Sequence, residues 1–128
     1  MHDRKAQRIR LHGIDCPEKG QPFWTVAKWA LSALVLFGRT VTIQRHDTDR
    51  YKRVVADIVL ADATNVNQKL VKDGWCWWYR TYAPDDMVLE GFEAEAREAK
   101  RGLWIDPRPI PPWEWRKPGK RSRIQMIP

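Results

Sequence analysis

The chain has 128 residues, 43% of them hydrophobic, and eight tryptophans: enough apolar matter for one packed domain and too much for a disordered segment. A formal net charge of +7 and a pI near 9.7 favour polyanionic partners over neutral or acidic ones. The longest apolar run, Ala33 to Phe37, is far too short to cross a bilayer, and Met1 is followed at once by His2-Asp3-Arg4-Lys5 with no apolar leader core, so no membrane partner and no signal peptide are expected.

In chain order, the first element is a strand that starts near Arg8. Ile9 and Leu11 alternate with Arg8, Arg10 and His12, the period of a half-buried β-segment. Pro17 stops it by forcing extended geometry on Cys16. Arg10 therefore stands on the strand and two carboxylates, Asp15 and Glu18, stand at its mouth. A cation with two hard oxygen donors suits an anionic substrate and a divalent metal. A strand followed by a proline turn with solvated charges accounts for the same residues.

Gln21 to Phe37 reads as a helix, with Val26, Trp29, Ala30, Ala33, Leu34 and Phe37 as its apolar stripe, Pro22 near its start and Gly38 past its end. Thr40 to His46 and Val54 to Leu60 read as strands, joined by a charged turn over Asp47 to Lys52. Val66 to Lys72 is a short helix closed by Gly74, and Trp75 to Tyr79 an extended segment. Asp85 to Arg101 is the last helix. Its buried stripe is Leu89, Phe92, Ala96 and Ala99, and Glu93 and Arg97 pair at i,i+4. Beyond Trp104, Pro107, Pro109, Pro111 and Pro112 exclude helix and central strand alike. Trp113 and Trp115 either pack this arm back on the domain or leave it as a polyproline ligand for a partner. From Arg116 the tail carries Lys117, Lys120, Arg121 and Arg123 with no acid, at most an unspecific grip on phosphate. The pattern is α+β, a domain over 1–105 followed by a proline-rich basic arm over 106–128. Cys16 and Cys76 are too few and too far apart for a disulfide framework or a zinc site, and read as two free thiols.

Four ordered stretches carry a resemblance. They are Arg10 with Ile14-Asp15-Cys16-Pro17-Glu18; Asp49-Arg50-Tyr51-Lys52-Arg53; Val66-Asn67-Gln68-Lys69-Leu70-Val71-Lys72-Asp73-Gly74; and Lys100-Arg101-Gly102-Leu103-Trp104. Together they resemble the staphylococcal (micrococcal) nuclease family, and Pro109 to Arg116 is similar to the tail of its bacterial homologues. The resemblance implies an OB-type five-stranded barrel with three helices, and hydrolysis of DNA or RNA with little sequence preference. It implies that Asp15 and the Cys16 carbonyl bind a metal, calcium or another divalent ion. Glu18 would act as general base or orient the attacking water, Arg10 and Arg53 would clamp the phosphate, and Tyr51 and Tyr82 would contact nucleotides. His12 and His46 match no family role and read as ordinary polar positions.

Two departures bear on activity. The family's Asp-Gly-Asp-Thr motif, with a further metal aspartate, belongs to a strand before the one carrying Arg10, and Met1 to Gln7 correspond to the turn that follows it. The first strand is therefore expected to be missing, the metal weakly held, and the exposed edge paired in a homodimer. Lys52 replaces the family's glycine, so a left-handed backbone there would be strained. Besides the nuclease, the pattern suits a catalytically silent nucleic-acid-binding OB module, or a truncated or mis-started form of the enzyme. Localisation is left open.

Overall fold

The computed structural model describes residues 8–35 and 40–117. The expectations placed on Met1 to Gln7, on Phe37 and Gly38, and on Lys120, Arg121 and Arg123 lie outside them. The order is β1 (Ile9–Leu11), β2 (Ile14–Asp15), α1 (Trp24–Val35), β3 (Val41–Thr48), β4 (Val54–Leu60), α2 (Val66–Lys72), β5 (Trp77–Trp78), α3 (Met87–Glu98), a 3₁₀ turn (Gly102–Ile105) and α4 (Pro112–Trp115). This is an α+β arrangement.

β4 is the central strand. Val54, Ala56, Ile58 and Leu60 are buried while the residues between them are half-buried, which is the alternation read from the sequence. β1 runs parallel to it, pairing Ile9 with Val54, and β3 runs antiparallel on its other side. β2 and β5 form a separate two-stranded ladder. Among the described residues the strands thus make a three-stranded mixed sheet and a two-stranded one.

Three differences from the sequence reading have physical causes. Four α-helices are present among the described residues rather than three, because Pro112 opens α4. Proline is excluded from a helix interior but not from its first turn, where its missing N–H has no partner to lose. α1 packs through Ala27, Ala30, Leu31 and Leu34, whereas Val26, Trp29 and Ala33 face outward, Trp29 with 67% of its surface exposed. On α3 the buried positions are Leu89, Glu93 and Ala96, with Ala99 exposed. Glu93 is buried because it accepts the Trp78 backbone N–H at 2.8 Å and meets Arg97 at 3.3 Å. Burial pushes its carboxyl above the ordinary range, with the Trp78 N–H and the arginines pulling the other way.

The core joins Ile14, Ile58, Leu60, Leu70, Trp78 and Leu89 around α2. At its polar centre lies Asn67, 1% exposed, whose Nδ2 donates to the His12 carbonyl at 3.0 Å, the Ala56 carbonyl at 3.1 Å and Asp57 Oδ1 at 2.8 Å. One side chain thereby ties α2 to both the β1–β2 turn and β4. The glycines of the two later motifs explain each other. A Cβ on Gly74 would lie 2.2 Å from the Arg101 carbonyl oxygen, and one on Gly102 would lie 2.4 Å from that of Gly74. Both have positive φ, and the Leu103 N–H donates to the Gly74 carbonyl at 2.8 Å.

The two cysteines are not free thiols. They form a disulfide across 60 residues, with Cα atoms 4.3 Å apart. The cause is register: Ile14 pairs with Trp78 and Asp15 with Trp77, so Cys16 and Cys76 are the next facing pair. Sequence distance concealed a neighbour that the β2–β5 ladder supplies.

Candidate active site

The site is built on three short connections. The first is the turn out of β1. Arg10 sits in the middle of that strand, and its Nη1 donates to the Leu11 carbonyl at 3.1 Å and the Ile14 carbonyl at 2.9 Å, so the guanidinium folds over the β1–β2 turn. Its cationic carbon lies 5.3 Å from the Tyr82 ring and 5.9 Å from that of Tyr79.

The second connection joins β3 to β4. Asp49 accepts the backbone N–H groups of Tyr51 and Arg53 on Oδ1, each at 2.9 Å, and the Arg53 side-chain Nε on Oδ2 at 2.8 Å. Desolvation opposes ionisation of Asp49, but these bonds win and hold its carboxyl below the ordinary value. The ion pair engages Nε of Arg53 and not the terminal nitrogens, so the guanidinium is aimed without being used up. Lys52 does adopt the left-handed conformation, φ 62°, as the glycine comparison anticipated. A β-carbon makes that conformation costly by about 1 kcal/mol. Tyr51 is exposed, with Arg50 4.9 Å and Arg53 5.5 Å from its ring.

The third connection follows β5. The Tyr79 N–H donates to the Gly13 carbonyl at 2.8 Å, and the ring of Tyr79 meets Tyr82 edge-on, centroids 4.8 Å apart. It also stacks on Trp113, 5.2 Å away, and Trp113 meets Trp77 at 5.5 Å. The proline-rich arm thus packs back on the domain through Trp113, and Gln21 Nε2 secures it by donating to the Ile110 carbonyl.

These connections bring Arg10, Asp15, Cys16, Glu18, Tyr51, Arg53 and Tyr82 to one open groove of about 700 Å³. Asp15 and Glu18 converge on a single cation at its end, the guanidinium of Arg116. Nη2 donates to Asp15 Oδ2 at 2.7 Å, while Nη1 donates to Glu18 Oε1 at 2.8 Å and, more weakly, to Asp15 Oδ1 at 3.4 Å. The bonds to Asp15 and Glu18 raise the Arg116 pKa further above its already high value, against desolvation. Arg116 is therefore no part of a loose basic tail. Among the described residues no group of three or more His, Cys, Asp and Glu is placed to hold a metal.

A second groove of about 760 Å³ shares Arg10, Tyr51, Arg53 and Tyr82 with the first and continues over His12 and His46. Those two rings are stacked, centroids 3.8 Å apart, and His46 Nε2 lies 3.2 Å from Asp57 Oδ2. They are more than ordinary polar positions. Burial lowers the His12 pKa, as do His46 and Arg10, with Asp57 and Asp86 opposing. Sequence reasoning missed Tyr79, Arg116 and this histidine pair. Only the Trp113-x-Trp115-Arg116 stretch offered a signal, as part of a tail similar to that of bacterial homologues.

Comparison with known proteins now decides the family. The family model for staphylococcal nuclease homologues matches residues 8–106. The chain belongs to the staphylococcal nuclease family. An endonuclease of Escherichia coli, itself uncharacterised, is 45% identical over 116 residues, which cover 91% of this chain and 74% of the relative. A micrococcal nuclease of Shigella flexneri is 35% identical over 129 residues, covering 94% and 74%. A probable staphylococcal-like nuclease of rice, CAN1, is 40% identical over 113 residues, 88% of this chain but 33% of the rice protein.

Proposed function

We propose that the chain hydrolyses phosphodiester bonds of DNA and RNA with little sequence preference, in a divalent-metal-dependent reaction, on an OB-type barrel frame that spans 1–105 with 106–128 as an accessory arm. The observation that carries this reading is the convergence of two arginines and two carboxylates on one groove. Arg10 and Arg53 present planar, permanently charged forks that suit the non-bridging oxygens of a phosphate. Each fork has an aromatic neighbour, Tyr82 for Arg10 and Tyr51 for Arg53, on which a base could stack.

The donor set fits a hard cation. Asp15 and Glu18 already share one positive group, and the backbone carbonyl of Cys16, tied by its disulfide, adjoins them. Calcium is the ion the family resemblance favours. When bound, such an ion supplies positive charge to the phosphate and to the attacking oxygen. Asp15 and Cys16 would hold it, and Glu18 would take or orient the proton of the water. One carboxylate and one carbonyl hold a dication weakly, so cleavage by this chain is expected to be weak.

A second reading, a silent nucleic-acid-binding module, is favoured by the Arg116 contacts, which occupy both carboxylates in a groove that Arg10, Arg50 and Arg53 make cationic. Plasmid nicking by the purified chain with calcium or with chelator separates the two. Chelator-sensitive cleavage, lost in Glu18→Gln, supports the enzyme. Retained binding without cleavage supports the module. Either reading requires salt-sensitive binding, with Arg10→Ala or Arg53→Ala each reducing the salt slope by roughly 1. We also read the outer edge of β1 as a pairing surface for a second copy. In the three-stranded sheet of the described residues, β1 and β3 are the outer strands.

A further inference from the structure

We infer that Arg116 is an internal competitor for the cation position between Asp15 and Glu18, so that divalent metal and the docked arm exclude one another. The inference rests on the metal reading just proposed. Its ground is geometric. Arg116 engages both Asp15 oxygens and one Glu18 oxygen, leaving Asp15 only 7% exposed at residue level, so a second cation cannot reach that pair without displacing the first.

The arm delivers Arg116 rather than trailing it. Pro112 is buried, and the Trp113 stack on Tyr79 and its edge contact with Trp77 fix the start of α4. The Arg116 N–H closes the helix on the Pro112 carbonyl at 3.0 Å. Trp113 on α4 and Arg116 at its C-cap, three residues apart, place an aromatic anchor and a cation on the same side. The guanidinium offsets half the charge of the acid pair in the metal-free chain, easing the repulsion between Asp15 and Glu18 and keeping a nearly buried carboxylate from standing alone.

Metal binding then carries the cost of breaking these bonds, and releases a guanidinium next to Arg10 and Arg53. The acids would have a cationic partner in both states. Without metal the acids are satisfied by Arg116. With metal they are satisfied by the ion, and Arg116 is free to meet the phosphate.

The test is calcium titration by calorimetry of the whole chain and of Arg116→Gln, together with tryptic cleavage after Arg116 in the presence and absence of calcium. The expected result is roughly tenfold tighter calcium binding by Arg116→Gln, equivalent to about 1.4 kcal/mol. In the unaltered chain, calcium should speed cleavage at the Arg116–Lys117 bond, and Asp15→Asn should speed it without calcium. A lost positive charge could tighten binding at a distance, but it could not make cleavage at Arg116 calcium-dependent. Equal calcium affinities, or cleavage indifferent to calcium in a chain that binds it, would overturn the competition. Failure of both chains to bind calcium, with cleavage still raised by Asp15→Asn, would instead bring down the metal reading, and the competition with it. Circular dichroism checks that Arg116→Gln folds. Should it not, Arg116→Lys keeps the charge and loses the fork, and the same direction is expected at smaller size.

Discussion

Reduction of the Cys16–Cys76 bond is the perturbation with the largest expected effect on this fold. The bond closes a loop of 60 residues that contains α1, β3, β4 and α2. In the chain-entropy treatment, a loop of that length stabilises the folded state by about 4 kcal/mol through its restriction of the unfolded chain. Little else stands behind it locally, since the β2–β5 ladder it extends has only two residue pairs. For a domain of this size 4 kcal/mol corresponds to roughly 12–20 °C in Tm. Thermal unfolding of the chain with and without a thiol reductant, and of Cys16→Ser with Cys76→Ser, reads the effect. Reduced chain and double variant should melt at the same lowered temperature. A transition indifferent to reductant, in protein whose thiol titration shows no free cysteine, would refute the loop-closure reasoning. The bond also matters to the site, because Cys16 lies between Asp15 and Pro17. Any nicking activity should fall on reduction at temperatures where the chain is still folded.

Other perturbations have smaller or more local signatures. Asn67→Ala removes the side chain shared by the His12 and Ala56 carbonyls and Asp57, all within the core; a loss of about 2–3 kcal/mol in urea unfolding is expected, and a loss below 1 kcal/mol would show the network to be dispensable. His12 has a lowered folded pKa from burial and from stacked His46, so the unfolded chain takes up a proton first. Stability should therefore begin to fall as pH drops through about 6.5 and level off below the folded value, and His12→Gln should flatten that slope. Lys52→Gly relieves a left-handed backbone and should be neutral or stabilising by up to about 1 kcal/mol, whereas marked destabilisation would show that the lysine side chain matters more than φ. Sedimentation at two well-separated concentrations should show association through the β1 edge, and a concentration-independent monomer would exclude it.

What the sequence made legible was local, and what it hid was long-range. β4 could be read because burial on one face of a strand is written in every second residue, from Val54 to Leu60. α2 was readable from the Gly74 that closes it and α3 from its apolar stripe, whereas the N-caps, Asn65 and Asp86, which accept the N–H groups of Gln68 and Leu89, were found only in the structure. Which face of a helix is buried depends on what it meets, however, and α1 turned Trp29 outward because its partners lie on the Ala27–Leu31 side. Glu93 went the same way: its sequence neighbours made it a surface partner for Arg97, but the Trp78 amide, 15 residues earlier, took it inside.

The groove follows the same division. Arg10, Asp15 and Glu18 are close in sequence, and Asp49 with Arg53 closes its own turn, so each half carries a local signature. The elements that set the electrostatics of the acid pair come from elsewhere: Cys76 is fixed by a ladder register, and Arg116 comes from 98 residues beyond Glu18. A basic residue after a proline-rich run looks like solvated charge until a tryptophan three positions before it is seen to dock. Once Trp113 is seated on Tyr79, Arg116 has a nearly buried carboxylate within reach, and leaving Asp15 unpaired there would be the costlier state. The arm's aromatic anchor and its terminal cation are therefore one device. Trp113→Ala should loosen Arg116 and expose Asp15 to added cations, even though the substitution touches neither acid.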